Sequence, residues 1–149
     1  MKKLLLILCL GCMANLSNAQ DQSNQQSVQD SHHKVLGYIK GGIITDANNN
    51  FLGDFKPGNG GLVISDKNHK VIGYFIQNKV VQDANHKTLG YVNMERGSMI
   101  STIINAESKP LGYINIENGA VQDNNHSVIG YEINTEVMWA APYFFFFKF

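Results

Sequence analysis

Cysteine is absent from the chain after residue 12. Its two copies, Cys9 and Cys12, sit inside an N-terminal leader, so the rest of the chain folds without a disulfide, a thiol nucleophile or a cysteine-ligated metal. Charge is scarce and balanced, with twelve basic and twelve acidic residues and no basic cluster. That argues against a nucleic-acid surface. Helical membrane spans are missing too: Leu4 to Leu10 and Tyr143 to Phe149 both fall well short of the roughly 20 apolar residues a bilayer needs. There is no nucleophile elbow, no phosphate-binding loop and no His-Glu-x-x-His. Gly58-Asn59-Gly60-Gly61 is glycine-rich, but it follows Pro57 and opens no helix, which marks it as a long hairpin turn. The chain is expected to be no enzyme and to carry no cofactor.

The leader itself has a clear grammar. Lys2 and Lys3 form a positive start, Leu4 to Leu10 a short apolar stretch, and Ser17-Asn18-Ala19 a small-x-small cleavage site. Residues 1–19 are therefore expected to be a signal peptide of bacterial type, leaving a chain that starts at Gln20 and is exported to the periplasm or cell envelope. Cleavage removes two lysines and no acid, for a net charge of −2. A rival reading makes Cys12 a lipidated first residue, because Leu10-Gly11-Cys12 resembles the end of a lipoprotein signal. Cys9 stands where such a signal usually has leucine. Residues 20–33 are polar and glutamine-rich without apolar periodicity, and are expected to be a flexible lead-in. Residues 34–149 suit one domain.

What that domain does have is repetition. VLGYI, FLGDF, VIGYF, TLGYV, PLGYI and VIGYE place glycines at 37, 53, 73, 90, 112 and 130. Each unit pairs this glycine strand with a shorter apolar run such as Val80-Val81-Gln82. Both runs are rich in β-branched and aromatic residues and too short for helices. Between the short run and the next glycine strand lies a turn opening Asp46-Ala47-Asn48, Asp66-Lys67-Asn68, Asp83-Ala84-Asn85 or Asp123-Asn124-Asn125. Aspartate there can bond the backbone two residues on, and asparagine tolerates left-handed geometry. The opposite connection varies in length, which suggests loops along one rim. The pattern predicts five hairpins, at about 43–55, 62–76, 80–92, 99–114 and 120–133, with the strand at 35–39 left over. A lone hairpin is marginal in water, so each must bury a face against its neighbours.

These strands and turns, together with the leader and the aromatic end, resemble the five-fold β-flower family of bacterial exported proteins. The resemblance covers about residues 34–149. It implies an all-β fold of five short hairpins arranged radially around an axis, and it brings no established activity and no catalytic residues. The chain departs from its own pattern at Asp54, which replaces tyrosine, and at Ala106-Glu107-Ser108, which replaces an Asp-x-Asn turn.

Tyr38, Tyr74, Tyr91, Tyr113 and Tyr131 follow the repeat glycines. Closed symmetry would bring equivalent positions to one ring, where phenols either line an axial pocket for a sugar or other small molecule or pack between petals. His69, His86 and His126 share a turn position, but turn tips diverge from an axis, so no metal site is expected. The turn aspartates lack the glycine and the bidentate glutamate of a calcium loop. The end of the chain is the most apolar part, with seven of the fifteen aromatics between 137 and 149. It is expected to pack on the repeats, the alternatives being a partner or a membrane surface. The functional expectation is an exported, non-enzymatic β-repeat scaffold, binding or structural, with a glycan or an envelope protein as the kind of partner it would meet. The alternative is a carbohydrate or small-molecule binding module that uses the five tyrosines.

Overall fold

The computed structural model describes residues 26–58, 60–77, 79–133 and 137–149. The leader, both cysteines and residues 20–25 lie outside the described residues. Twelve antiparallel strands form a closed barrel: β1 (Gln26–Asp30), β2 (Val35–Lys40), β3 (Ile43–Asp46), β4 (Phe51–Gly58), β5 (Gly61–Asp66), β6 (Val71–Ile76), β7 (Val80–Asp83), β8 (Thr88–Met94), β9 (Ile100–Asn105), β10 (Pro110–Asn115), β11 (Ala120–Asp123) and β12 (Val128–Ile133). Every strand pairs with its sequence neighbours, and β1 closes the circle by pairing with β12 as well as β2. A short helix, α1 (Val137–Ala141), and a π-helical turn (Pro142–Phe146) then carry the aromatic end into the barrel.

The five hairpins read from the sequence are all present. The lead-in needs correction: Gln26–Asp30, expected to be flexible within 20–33, is a strand, and with β2 it makes a sixth hairpin. The reason is closure. Without β1 the strand at 35–40 and β12 would each present a row of unpaired backbone groups; β1 satisfies both edges at once. The sequence signal for it lies in the turn rather than in the strand, since Asp30-x-x-His33 repeats the spacing of Asp66-x-x-His69, Asp83-x-x-His86 and Asp123-x-x-His126.

Each of the six hairpins turns in the same way. Asp83 Oδ1 accepts the backbone N–H of Asn85 at 2.8 Å and of Lys87 at 2.9 Å. Asp30, Asp46, Asp66 and Asp123 repeat that pair of bonds. At the apparent exception the turn begins one residue earlier than residue types suggest: Asn105, not Ala106, takes the aspartate's place, and its Oδ1 accepts from the backbone of Glu107 and Lys109. The fourth turn residue is left-handed throughout, at His33, Asn49, His69, His86, Ser108 and His126, with φ between 59° and 64°.

Two of the turn aspartates, Asp30 and Asp46, make stability pH-dependent. The backbone N–H of Lys34, with that of His32, holds the Asp30 carboxyl below its ordinary 3.8, and the Asn50 side chain, with its backbone, does the same for Asp46. A carboxyl depressed in the folded state contributes stability above 3.8 that is lost as pH falls through the lower folded values. Asn105 shows that an amide can make the same backbone bonds. Asp30→Asn with Asp46→Asn is therefore expected to leave the neutral-pH Tm nearly unchanged and to flatten its fall in acid; melts at neutral pH and below the carboxylate range check this.

Immediately after each turn the register slips by one residue, at all six tight hairpins and at none of the other six strand pairs. The extra residue is the Leu or Ile before the glycine: Leu36, Leu52, Ile72, Leu89, Leu111 and Ile129. The repeated Leu-Gly or Ile-Gly pair is thus a β-bulge, which adds twist where a barrel must curve. Inside, β1 to β11 each contribute a core residue: Val28, Ile39, Ile44, Phe55, Ile64, Phe75, Val81, Val92, Ile103, Ile114 and Val121, none more than 4% exposed. Ala140 and Ala141 of α1 join this cluster, fully buried.

Beside that layer the tail meets five of the six repeat glycines one to one. A Cβ on Gly130 would stand 2.6 Å from a ring carbon of Phe144. The corresponding pairs are Gly112 with Phe145 (2.6 Å), Gly90 with Phe146 (2.7 Å), Gly53 with Phe149 (2.9 Å) and, closer still, Gly73 with Phe147. Successive tail residues thus visit the hairpins in reverse chain order, and Lys148, the residue skipped, is exposed. The Tyr143 ring contacts both Phe144 (5.3 Å) and Phe149 (5.6 Å), closing the circle. Burial, and then the charge of Glu132, push the Tyr143 phenol up from its usual range. The aromatic tail therefore packs on its own repeats.

Candidate outer-wall site

Strand alternation decides where the five tyrosines stand. In β6, Gly73 and Phe75 face the interior and Tyr74 lies between them, on the opposite face. Tyr38, Tyr91, Tyr113 and Tyr131 hold the same place between an inward glycine and an inward core residue. All five are half-buried on the outer wall. Of the two placements that symmetry left open, an axial pocket or packing between petals, the axial one is not what the structure has: equivalent positions do form a ring, but on the outside, because the axis takes the glycine face and its phenylalanines.

On that wall the tyrosines meet the turn histidines. Three imidazoles stack on the phenol of the preceding hairpin: His86 on Tyr74 at 4.4 Å and 13°, His126 on Tyr113 at 4.5 Å and 11°, and His33 on Tyr131 at 4.1 Å and 22°. The left-handed residue of the turn aims its side chain back across the strand, which is why His at that position reaches the wall. Tyr38 and Tyr91 face turns carrying Asn49 and Ser108 in place of histidine. Among the described residues no three His, Cys, Asp or Glu side chains converge as a metal site would require.

Asp54 breaks the pattern. It occupies the tyrosine position of β4, and its carboxylate is almost fully covered. Lys56 Nζ lies 2.6 Å and His69 Nδ1 4.0 Å from Oδ2. Without a phenol to rest on, His69 leans over the smaller side chain and packs on Phe51 at 4.9 Å.

Two equivalent grooves open beside the stacked pairs. One, of about 420 Å³, runs between Asn93, Thr102, Tyr113, Gln122 and His126, with Glu95, Ser98 and Ile100 at its end. Thr102, Tyr113 and Gln122 are cross-strand neighbours, so their side chains form a single row across three strands. The second, of about 270 Å³, lies along Val63, Tyr74 and His86 and is lined largely by apolar residues. The first has hydroxyl and amide groups where the second has aliphatic ones, so the two present different chemistry from one architecture.

No helix among the described residues is long and apolar enough to cross a membrane. The strands, four to eight residues long, are also shorter than the roughly 9–11 a membrane barrel uses. Comparison with curated proteins yields no match, and neither does comparison with solved structures. A family model described as "5-fold beta-flower protein" matches residues 58–148, more than half of the sequence, and takes in the repeat glycines Gly73, Gly90, Gly112 and Gly130. With hairpins ranked around a closed ring and an aromatic tail distributed over their glycines, the chain belongs to the five-fold β-flower family.

Proposed function

We propose that this protein is an exported, non-enzymatic scaffold of the bacterial envelope that binds through its outer wall. One observation carries the reading. The barrel's interior is occupied by the protein's own tail, so the open grooves lie outside, beside the tyrosine–histidine stacks. A rigid ring with variable loops on one rim and different groove linings on equivalent hairpins suits display and recognition. Export rests on the leader. Its test is the mass of the chain recovered from the periplasm or medium: an N-terminus at Gln20 without lipid is expected, and an acylated Cys12 or a chain retained in the cytoplasm would refute it.

The groove at Tyr113 favours a saccharide as ligand. Its hydroxyl and amide groups surround an aromatic pair, the combination that both hydrogen-bonds a sugar's hydroxyls and stacks on its apolar face. On a glycan array the full chain is expected to bind, Tyr113→Ala and Gln122→Ala to lose at least about tenfold in affinity, and Tyr91→Ala, at a position without a stacked histidine, to bind as the parent does. Equal binding by all three variants would remove the groove from the proposal.

A further inference from the structure

One row of outward side chains runs unbroken across four strands. Tyr113 of β10 stands directly opposite Thr102 of β9 on one side and Gln122 of β11 on the other, and Thr102 stands opposite Asn93 of β8. Directly paired residues share a face of the sheet, so Gln122, Thr102 and Asn93 point outward with the phenol. Each of the four offers a hydroxyl or an amide, and an amide both donates and accepts. The rows through the other tyrosines are interrupted by aliphatic side chains. Val63 stands opposite Tyr74, Val80 and Ile104 flank Tyr91, Ala120 stands opposite Tyr131, and the row through Tyr38 and Ser27 ends on Ile133. The repeat alone therefore does not ask for four polar residues in line.

All four residues line the groove of about 420 Å³. Neighbouring strands lie about 4.8 Å apart, so the row spans about 14 Å from Gln122 to Asn93. His126, stacked at 4.5 Å, holds the Tyr113 ring in place. At the Asn93 end the β8–β9 connection bounds the groove with Glu95 and Ser98. That connection is itself fixed: the Ser98 N–H donates to the Glu95 carbonyl, and Ser98 Oγ accepts from the Ile100 N–H, both at 3.0 Å. The row crosses neighbouring strands of a closed twelve-strand ring, so the wall beneath it is convex.

We propose that this groove binds a curved linear glycan of four pyranose units, one for each strand it crosses. The inference rests on the saccharide reading of the Tyr113 groove and adds the length and shape of the chain. A pyranose unit advances a glycan by roughly one strand spacing, so successive units meet successive side chains of the row. One unit stacks on the aromatic pair, and its neighbours hydrogen-bond to the hydroxyl of Thr102 and the amides of Gln122 and Asn93. A straight chain lifts away from a convex wall at its ends. An α-linked chain coils and lays its concave side along such a wall.

The test uses the full chain and the series from maltose to maltohexaose, followed by calorimetry, with cellotetraose as the straight counterpart. Affinity is expected to rise with each unit to maltotetraose, by at least about tenfold over maltose, and to stay level beyond it. Cellotetraose should bind at least about threefold more weakly than maltotetraose. Asn93 is exposed at the end of the row, so its replacement spares the fold. Asn93→Ala should cost maltotetraose at least about threefold in affinity. Maltose needs only the aromatic pair and one neighbour, so the variant should bind it as the parent does. That dependence on ligand length is one a merely structural role would not produce. Affinity independent of chain length, equal binding of cellotetraose and maltotetraose, or equal losses of maltose and maltotetraose in Asn93→Ala would overturn the inference and leave the saccharide reading standing. Binding of no member of either series would also overturn it. The glycan array then separates the two: binding to other glycans keeps the saccharide reading, and an array without binding removes both.

Discussion

A chain ending at Pro142 is expected not to fold. The truncation removes Tyr143 and five phenylalanine rings, each of which sits over the glycine of a hairpin or over its ring neighbour. Burying one such side chain fully contributes roughly 1.5–3 kcal/mol, and a domain of this size is stable by only about 5–15 kcal/mol. Even partial burial of six rings is comparable with the whole. The loss is also concentrated. The rings fill the centre of a twelve-strand ring whose strands are too short to collapse across the gap, so the remaining core would face a hole. Loss of the cooperative thermal transition, with solubility reduced, is the expected result. A truncated chain that melts at the parent's temperature would mean that the hairpins hold one another without the plug.

The second large effect is expected from adding one methyl group. A Cβ at Gly112 would stand 2.6 Å from Phe145 and collide with the backbone carbonyl of Gln122 on the neighbouring strand. Both neighbours are fixed, one by the sheet ladder and the other by the packed ring, so neither can give. Gly112→Ala is expected to cost about 3 kcal/mol, the upper end of overpacking, or roughly 6–12 °C in Tm. Gly41 provides the control. It has φ of +57° but nothing within 4 Å of a Cβ, so Gly41→Ala should cost only about 1 kcal/mol of left-handed strain. Combining Gly112→Ala with Phe145→Ala should cost less than the sum of the two, because the smaller side chain removes one of the two collisions. Additive losses in the double variant, measured by denaturant unfolding, would show that glycine and ring do not meet.

Much of this fold is written in the chain. Glycine spacing, Asp-x-Asn turns and short β-branched runs are local signals, and the five hairpins and tight turns they predict stand where they are expected. Asn105 escapes the pattern because an amide takes over the aspartate's work: residue type changes there while the bonds the turn needs do not. β1 escapes it because Gln26-Ser27-Val28-Gln29-Asp30 has one inward apolar residue and a polar remainder; composition alone cannot tell such a strand from a linker.

The tyrosines show where local reading ends. Period-two alternation puts Tyr74 and Gly73 on opposite faces, and that is legible. Which face is inside depends on what fills the centre, and the filler lies at the far end of the chain. A glycine in each hairpin and a run of phenylalanines at the terminus each have a local explanation. Only the closed ring shows that they are two halves of one contact, with the glycines making the space and the rings occupying it. Sequence determined the hairpins, their turns and their bulges, since those depend on residues near one another in the chain. Tertiary structure decided the inside from the outside, because that depends on contacts between residues as far apart as Gly53 and Phe149.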